Sequence, residues 1–468
     1  MSSHRKATAL LLWPLCLLAA GCAGEGPDAP ERIIASALES RGAYEKLAHL
    51  TDRIGPRLSG SPGYEEAVRW AVAELERDGA DKVWTEKVMV PHWVRGVETG
   101  RIVAPVDRPL ALTALGGSDP TPEEGIDAAV VEVGSFDDLK AVREKVRGRI
   151  VLYNRAMRRN GTGMDGYGPG AGMRTRGAVE AAKLGAVGAL IRSLGTAAYR
   201  LPHTGAMNYD PNVPHIPSAA ISSEDADLIH RLIAAGETVR VHFALGCRTL
   251  PDVESANVIA DLRGSGKPEE IVLIGGHLDS WDLGQGAIDD GAGVAIVMET
   301  IGLLKSLGLA PKRTIRAVLF ANEENGLRGG RAYAEAHRDE MPLHTAAIEV
   351  DSGGFKPLGF GVNAGSGALP LVEWIASSLY GIGAGDVRRG GGGADISPME
   401  PLGVPMLGLR QDTTYYFDYH HSAADTLDKV KPSDLSLNVA ALAVMAYSLA
   451  DLREPLPRLQ PRRATPAR

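Results

Sequence analysis

The C-terminal half of this 468-residue chain predicts an α/β fold, a three-layer sandwich with a mainly parallel mixed sheet, preceded by a β-rich insert. Three observations carry the prediction. Apolar runs at 271–275, 314–320, 345–350 and 404–409 have the length of buried strands. The stretches 291–307 and 326–338 repeat apolar residues at helical spacing. Most of the apolar runs lead into polar residues, which is where an open α/β sheet builds a site, beyond the carboxyl ends of its strands.

Taken in order, residues 1–22 read as an export signal that stays outside the fold. His4, Arg5 and Lys6 precede the apolar run 9–20, which is too short for an ordinary membrane span. The run ends in Leu18-Ala19-Ala20-Gly21-Cys22, similar to a bacterial lipobox, although that pattern prefers a larger aliphatic residue where Ala19 stands. Two outcomes stay open: a lipid on Cys22 that attaches the protein to a membrane of the cell envelope, or cleavage nearby to give a soluble periplasmic or secreted protein. Residues 30–96 form the first part of the main domain and read as largely helical to Trp93, with apolar spacing at 43–50 and 64–75 and a loop at 53–61.

Residues 97–252 have a different texture, with short β-like runs between Gly and Pro. The strand 148–153, the helix 177–185 and the strand 187–191 form its clearest unit. This stretch resembles the protease-associated domain, and two roles follow: a lid or substrate-access module, or a structural insert without substrate contact. Residues 253–452 hold the main α/β part, and the Pro- and Arg-rich tail 453–468 reads as disordered.

Composition narrows the partners. With 44% hydrophobic and 23% charged residues the chain is ordinary globular protein, long enough for two or three domains. A net charge of −8 and the lack of a basic stripe argue against nucleic acid. Cys16 lies in the signal and Cys22 is the candidate lipid site, so Cys247 alone remains in the folded body and no internal disulfide framework is possible. A homodimer is left open.

The polar residues at the strand ends include His277 and Asp279 after 271–276, Glu323 and Glu324 after 314–320, and Asp351 after 345–350; a further run leads toward His420 and His421. Asp289 sits in the turn that opens the next helix. Imidazole and carboxylate donors suit zinc, and His277, Asp289, Glu324, Asp351 and His421 supply such a set. One carboxylate can bridge two metals, and Asp289 is the candidate bridge. Each residue alone has an ordinary structural explanation, whether a hydrogen-bonded His, a helix cap or a turn. Their convergence on strand ends of one domain is what points to chemistry.

The runs GGHLDSWDLGQGAIDDGAG (275–293), ANEENGLRGG (321–330), IEVDSGG (348–354) and YHHSAADT (419–426) resemble the zinc aminopeptidases and glutamate carboxypeptidases with two co-catalytic metals, especially the carboxypeptidase Q branch. The resemblance implies an exopeptidase acting on peptide substrates with two Zn2+ per chain. It implies that Asp289 bridges the ions, that His277 and Asp351 complete one site and Glu324 and His421 the other, that Glu323 is the general base, and that Asp279 orients His277. Some relatives have a tyrosine before the last histidine as oxyanion donor, whereas this chain has His420. The donor is therefore open among His420, Tyr415, Tyr416 and Tyr419. The loop 390–395, ending in Asp395, resembles a substrate-pocket segment or is a flexible connection.

Competing readings are a non-catalytic receptor on the same fold, whose relatives lose ligands that are present here, and a glutaminyl cyclase. A serine hydrolase is disfavoured because no G-x-S-x-G elbow occurs, and no H-E-x-x-H motif is present.

Overall fold

The structure, a computed structural model, describes residues 28–159 and 166–460. The signal and Cys22 lie outside the described residues. Two eight-stranded mixed sheets organise the chain. In the first, the strands run in the order Lys82–Val94, Arg248–Leu262, Arg313–Phe320, Lys267–His277, His344–Glu349, Met406–Gln411, Pro357–Asn363 and Asp386–Arg389. The central strand Lys267–His277 pairs in parallel with both neighbours, and His344–Glu349 pairs in parallel with Met406–Gln411.

Strict alternation along the central strands explains the three layers. Val272 and Ile274, with Ile315, Ala317 and Leu319, join one core beneath the helices Ala29–Glu39, Pro62–Arg77, Ala292–Ser306 and Pro432–Asp451. Ile271 and Leu273, with Val318 and Phe320, turn to a smaller core with Tyr333, Met341, Ile396 and Met399. The strands are therefore apolar on both faces, which is why they read as unbroken hydrophobic runs.

The second sheet, of strands between Glu98 and Leu245, is inserted into a hairpin of the first. Lys82–Val94 pairs antiparallel with Arg248–Leu262 along nearly its whole length, with Val94 opposite Arg248, and the chain builds the second sheet between those two positions. Four of its strands, Ile126–Val133, Ile150–Tyr153, Gly188–Arg192 and Ser218–Ile221, run parallel and adjacent.

Three expectations need correction. The helical reading to Trp93 fails after Arg77, because residues 82–94 form a strand. Its β-branched residues alternate with polar ones at period two, so that Val88 and Val90 are buried while Lys87 and Met89 are exposed. The insert's main helix runs Tyr167–Ala182, starting ten residues before the expected 177, with Gly177 giving room for the Tyr153 ring. The tail is ordered through Gln460: Leu456 is buried and Arg458 donates to the carbonyls of Met341, Pro342, His344 and Leu402.

The loop at 53–61 anchors the segment that follows the central strand. Arg57 is fully buried and donates to the carbonyls of Gly55, Leu278, Gln285 and Gly286 at 2.7–3.0 Å. Replacing it strands several buried acceptors at once. Arg57→Met is expected to lower the unfolding free energy by roughly 3 kcal/mol or more in urea titration, and Arg57→Lys to recover little because an ammonium cannot reach the same spread of carbonyls.

His344, at the start of its strand, is buried between the Tyr333 hydroxyl on Nε2 (2.9 Å) and the Glu340 carbonyl on Nδ1 (3.1 Å), and burial pushes its pKa down to about 4. The unfolded chain therefore binds a proton near the ordinary histidine value that the folded chain refuses, so stability falls as pH drops from about 6.5 toward 4. His344→Gln is expected to flatten the dependence of stability on pH in that window, measured by urea midpoints across the range.

Candidate active site

The carboxyl ends of the parallel strands deliver the predicted residues to one place. His277 closes the central strand, Glu323 and Glu324 follow Arg313–Phe320, Asp351 follows His344–Glu349, and His421 follows the short helix Tyr416–Tyr419. Asp289 enters from the turn at 287–291, where its backbone is extended (φ −134°, ψ 89°). Asp425 fixes that turn by accepting from the amides of Ala287 and Ile288 at 2.8 and 2.7 Å.

Asp289 lies between two imidazoles. Its Oδ1 is 3.3 Å from His277 Nε2 and its Oδ2 is 3.2 Å from His421 Nε2. Asp351 Oδ1 approaches His277 Nε2 at 3.7 Å, and Glu324 Oε2 approaches His421 Nε2 at 3.0 Å. The five residues therefore form two groups that share Asp289. Glu323 makes no ion pair with either imidazole among the described residues and borders the same cavity, of about 570 Å³.

Asp279 meets the His277 ring chiefly through its main chain. His277 Nδ1 is held at 3.0 Å by the main-chain carbonyl of Asp279, whereas the Asp279 carboxylate stands 3.7 Å away. That carboxylate accepts instead from the amides of Glu323 and Glu324, at 3.0 and 3.3 Å, and so fixes the turn carrying both glutamates.

Burial of so many acids has electrostatic consequences. Desolvation, reinforced by Asp351, Glu324 and Asp279, lifts the Glu323 carboxyl well above the carboxylate range. Burial and Asp289 bring Glu324 up to about 7. Burial works against a proton on His277 and His421, yet the facing carboxylates raise both imidazoles well above their ordinary value. Apart from the imidazole approach to Asp289 Oδ2, the buried oxygens Asp289 Oδ2 and Glu324 Oε1 have no hydrogen-bond partner among the described residues. Hard oxygen donors and imidazole nitrogens converge here with too little positive charge, and the donor set fits divalent cations.

The oxyanion candidates separate. Tyr416 and His420 line the cavity. Tyr415 is half exposed, with the Arg159 guanidinium 4.6 Å from its ring centre, and Tyr419 stacks on Tyr199 away from the cavity wall. Asp395 is fully buried behind the cavity, beside Glu349, whose carboxylate accepts from the Asp395 and Ile396 amides. Asp395 is thus not a direct wall of the cavity.

Residues the sequence reading missed include Asp290, whose carboxylate accepts from the His277 and Gly293 amides and groups with His277 and Asp351. Its place beside Asp289 was visible, but the adjoining Gly276 and Gly293 that leave it room carry no local signal of that purpose. Tyr167, Arg174 and Asn208 reach the same cavity from the inserted region, where nothing in the pattern set them apart from surface residues.

The model for Peptidase family M28 matches residues 257–446. Carboxypeptidase Q of Mus musculus is 41% identical over 416 residues, 89% of this chain and 87% of that protein, and the Homo sapiens protein is 41% identical with the same coverage. Among solved structures, the Peptidase M28 precursor from Shewanella amazonensis SB2B superposes with a TM-score of 0.89 at 42% identity, covering 92% of this chain and 98% of that one. A zinc aminopeptidase from Bacillus subtilis shares the fold with a TM-score of 0.65 at 20% identity, covering 88% and 95%. With kinship over nearly the whole length and a cavity walled by imidazoles and carboxylates, this chain belongs to peptidase family M28 and is a metallo-exopeptidase.

Proposed function

We propose that this protein is an exported di-zinc exopeptidase that cleaves dipeptides or short peptides. The observation that supports this reading best is Asp289 between His277 and His421, each imidazole also facing a second carboxylate, Asp351 or Glu324. In this reading His277, Asp289 and Asp351 would hold one Zn2+, and Asp289, Glu324 and His421 would hold the other. Bound there, the ions supply Lewis acidity that eases deprotonation of water and polarises a carbonyl.

The chain's own groups then divide the work. Glu323, free of the ligand imidazoles and ionised once bound cations offset the surrounding carboxylates, would take the proton from the attacking water and return it to the leaving amine. The Asp279 carboxylate keeps Glu323 and Glu324 pointed to different tasks through their amides. Tyr416 is the better oxyanion donor of the two that reach the cavity: burial keeps its phenol protonated, whereas His420 Nε2 lies 3.5 Å from Asp289 Oδ2.

Specificity falls to Arg174. Arg174 is 8% exposed and borders the cavity, and among the described residues its Nε and Nη1 have no hydrogen-bond partner while Nη2 reaches the Tyr167 hydroxyl, at 3.3 Å. Buried guanidinium groups without a carboxylate are costly, so Arg174 is read as the receiver of a substrate's terminal carboxylate. Export is read from the basic residues and apolar run of the first 20 positions, with lipid attachment at Cys22 as its envelope form.

The assay is turnover of the mature protein on dipeptides with free or blocked termini, with metal content measured by elemental analysis. Glu323→Gln is expected to keep two zinc ions and lose about 10²–10⁴ in turnover, and unchanged turnover removes Glu323 from the mechanism. Arg174→Met is expected to lower kcat/KM roughly 100-fold on a dipeptide with a free carboxylate while sparing its C-terminal amide; an equal loss on both rejects the carboxylate role. Cyclisation of a Gln-initiated peptide in place of hydrolysis identifies a glutaminyl cyclase.

A further inference from the structure

The segment that carries His421 is held largely from the inserted domain. Thr196 N donates to Phe417 O at 3.0 Å, and Thr196 Oγ1 donates to Asp418 Oδ1 at 2.7 Å. His203 Nδ1 lies 2.7 Å from His420 O. Thr204 N donates to His421 O at 2.8 Å, and His421 Nδ1 lies 3.3 Å from Thr204 O. All of these partners lie between the strands Gly188–Arg192 and Ser218–Ile221 of the second sheet.

His421 needs such support. Its backbone is left-handed (φ +59°), a conformation that a residue with a Cβ adopts at a cost. The neighbouring bonds within its own chain segment, His420 N to Tyr416 O and Ser422 N to Tyr419 O, are single local turns that do not fix where the segment sits relative to the sheet. From Phe417 to His421 the bonds that do so cross to the insert, while four residues on Asp425 ties the chain to the turn at 285–288.

His203 is built for that contact. It is 5% exposed, its own amide donates to Ser193 Oγ at 2.8 Å, and a side chain at Gly195 would collide with its ring. Facing a carbonyl, Nδ1 must carry the hydrogen, so the imidazole is a fixed donor. Burial, ahead of the repulsion from His421 and Arg174, pushes its pKa down to about 4 and keeps the ring neutral at ordinary pH.

We propose that the inserted domain is a structural half of the metal site, and that His203 is a positioning residue which, with Thr204, sets the backbone and ring orientation of His421. The inference rests on the di-zinc reading for its effect on metal, and on the hydrogen bonds alone for its effect on the segment. It assigns the insert a task that a mobile lid could not perform, because a lid that swung away would take the support of His421 with it.

The test compares the full-length mature protein with His203→Phe and His203→Asn, since the Asn amide nitrogen can mimic Nδ1 and Phe cannot. Zinc affinities are measured by competition with a chromophoric chelator, and amide hydrogen exchange at Thr204 is measured on metal-free protein. His203→Phe is expected to weaken one of the two zinc sites 10–100-fold, leaving the other within threefold, and to speed exchange at Thr204; His203→Asn is expected to recover both readouts to near wild type. Unchanged zinc affinity in His203→Phe, or equal losses in the two variants, overturns the proposal. If wild type binds no zinc, the di-zinc reading falls, and exchange at Thr204 decides the positioning claim: acceleration in Phe reversed in Asn supports it, and no difference overturns it.

Discussion

A buried excess of carboxylate is the constraint around which this molecule is arranged. Asp279, Asp289, Asp290, Glu324, Glu349 and Asp395 are all nearly or fully inaccessible, and they share one region with Glu323 and Asp351. Few cationic side chains reach them: Arg57 stabilises the region from behind, and the imidazoles of His277 and His421 lie within it. Charges of one sign in a low-dielectric interior repel strongly, so each acid needs hydrogen-bond donors or positive charge to stay ionised. The main chain supplies much of that need. Asp279, Asp290, Glu349 and Asp425 each accept from two backbone amides, whereas Asp289, Glu324 and Asp395 keep oxygens without a hydrogen bond among the described residues. Of these three, Asp289 and Glu324 border the cavity and Asp395 does not.

The topology makes that crowding possible. Parallel strands present their carboxyl ends on one edge, so three consecutive neighbours in the sheet deliver His277, the two glutamates and Asp351 without long side chains or special loops. Part of the remaining wall comes from a domain that hangs from a single antiparallel hairpin. Because Val94 pairs with Arg248, the insert leaves and rejoins the first sheet at one point, and a second set of contacts is needed to fix its angle. Arg95 provides one such contact near the hairpin, pairing with Asp282 and donating to Ala114 O. The Phe417–His421 segment provides another at the far side of the cavity.

Much of this was legible in the sequence, and the physical reasons for what was not are instructive. Strands 271–275 and 314–320 were readable because both faces are buried and the runs are continuously apolar. Lys82–Val94 was not, because an edge strand with one exposed face mixes Lys, Glu and Thr with Val, and a preceding helix biases the reading toward continuation. His277, Glu324 and Asp351 stood out as candidates because they follow strands, whereas Asp289 lies in a turn and His421 follows a short helix. The family resemblance implied that Asp279 orients His277, but which of its atoms makes the contact is a matter of local backbone geometry. Arg174 and His203 carried no signal, since their function comes from the packing of the insert against the first sheet, a contact between residues more than 200 positions apart for His203 and His420.

The adjacent histidines show how far the backbone alone can divide two identical side chains. The left-handed turn at His421 stacks its ring on that of His420 with centroids 3.5 Å apart. Two imidazoles that close in a buried site cannot both hold an extra proton. Glu324 and Asp289 favour charge on His421, and His420, buried beside it and against Tyr167, Tyr416 and Phe417, is driven well below the ordinary histidine value. His420 is thereby a neutral ring held among aromatics, with its carbonyl turned to His203. His420 stacks beside His421 among these rings, and both it and Tyr416, one helical turn earlier, line the cavity.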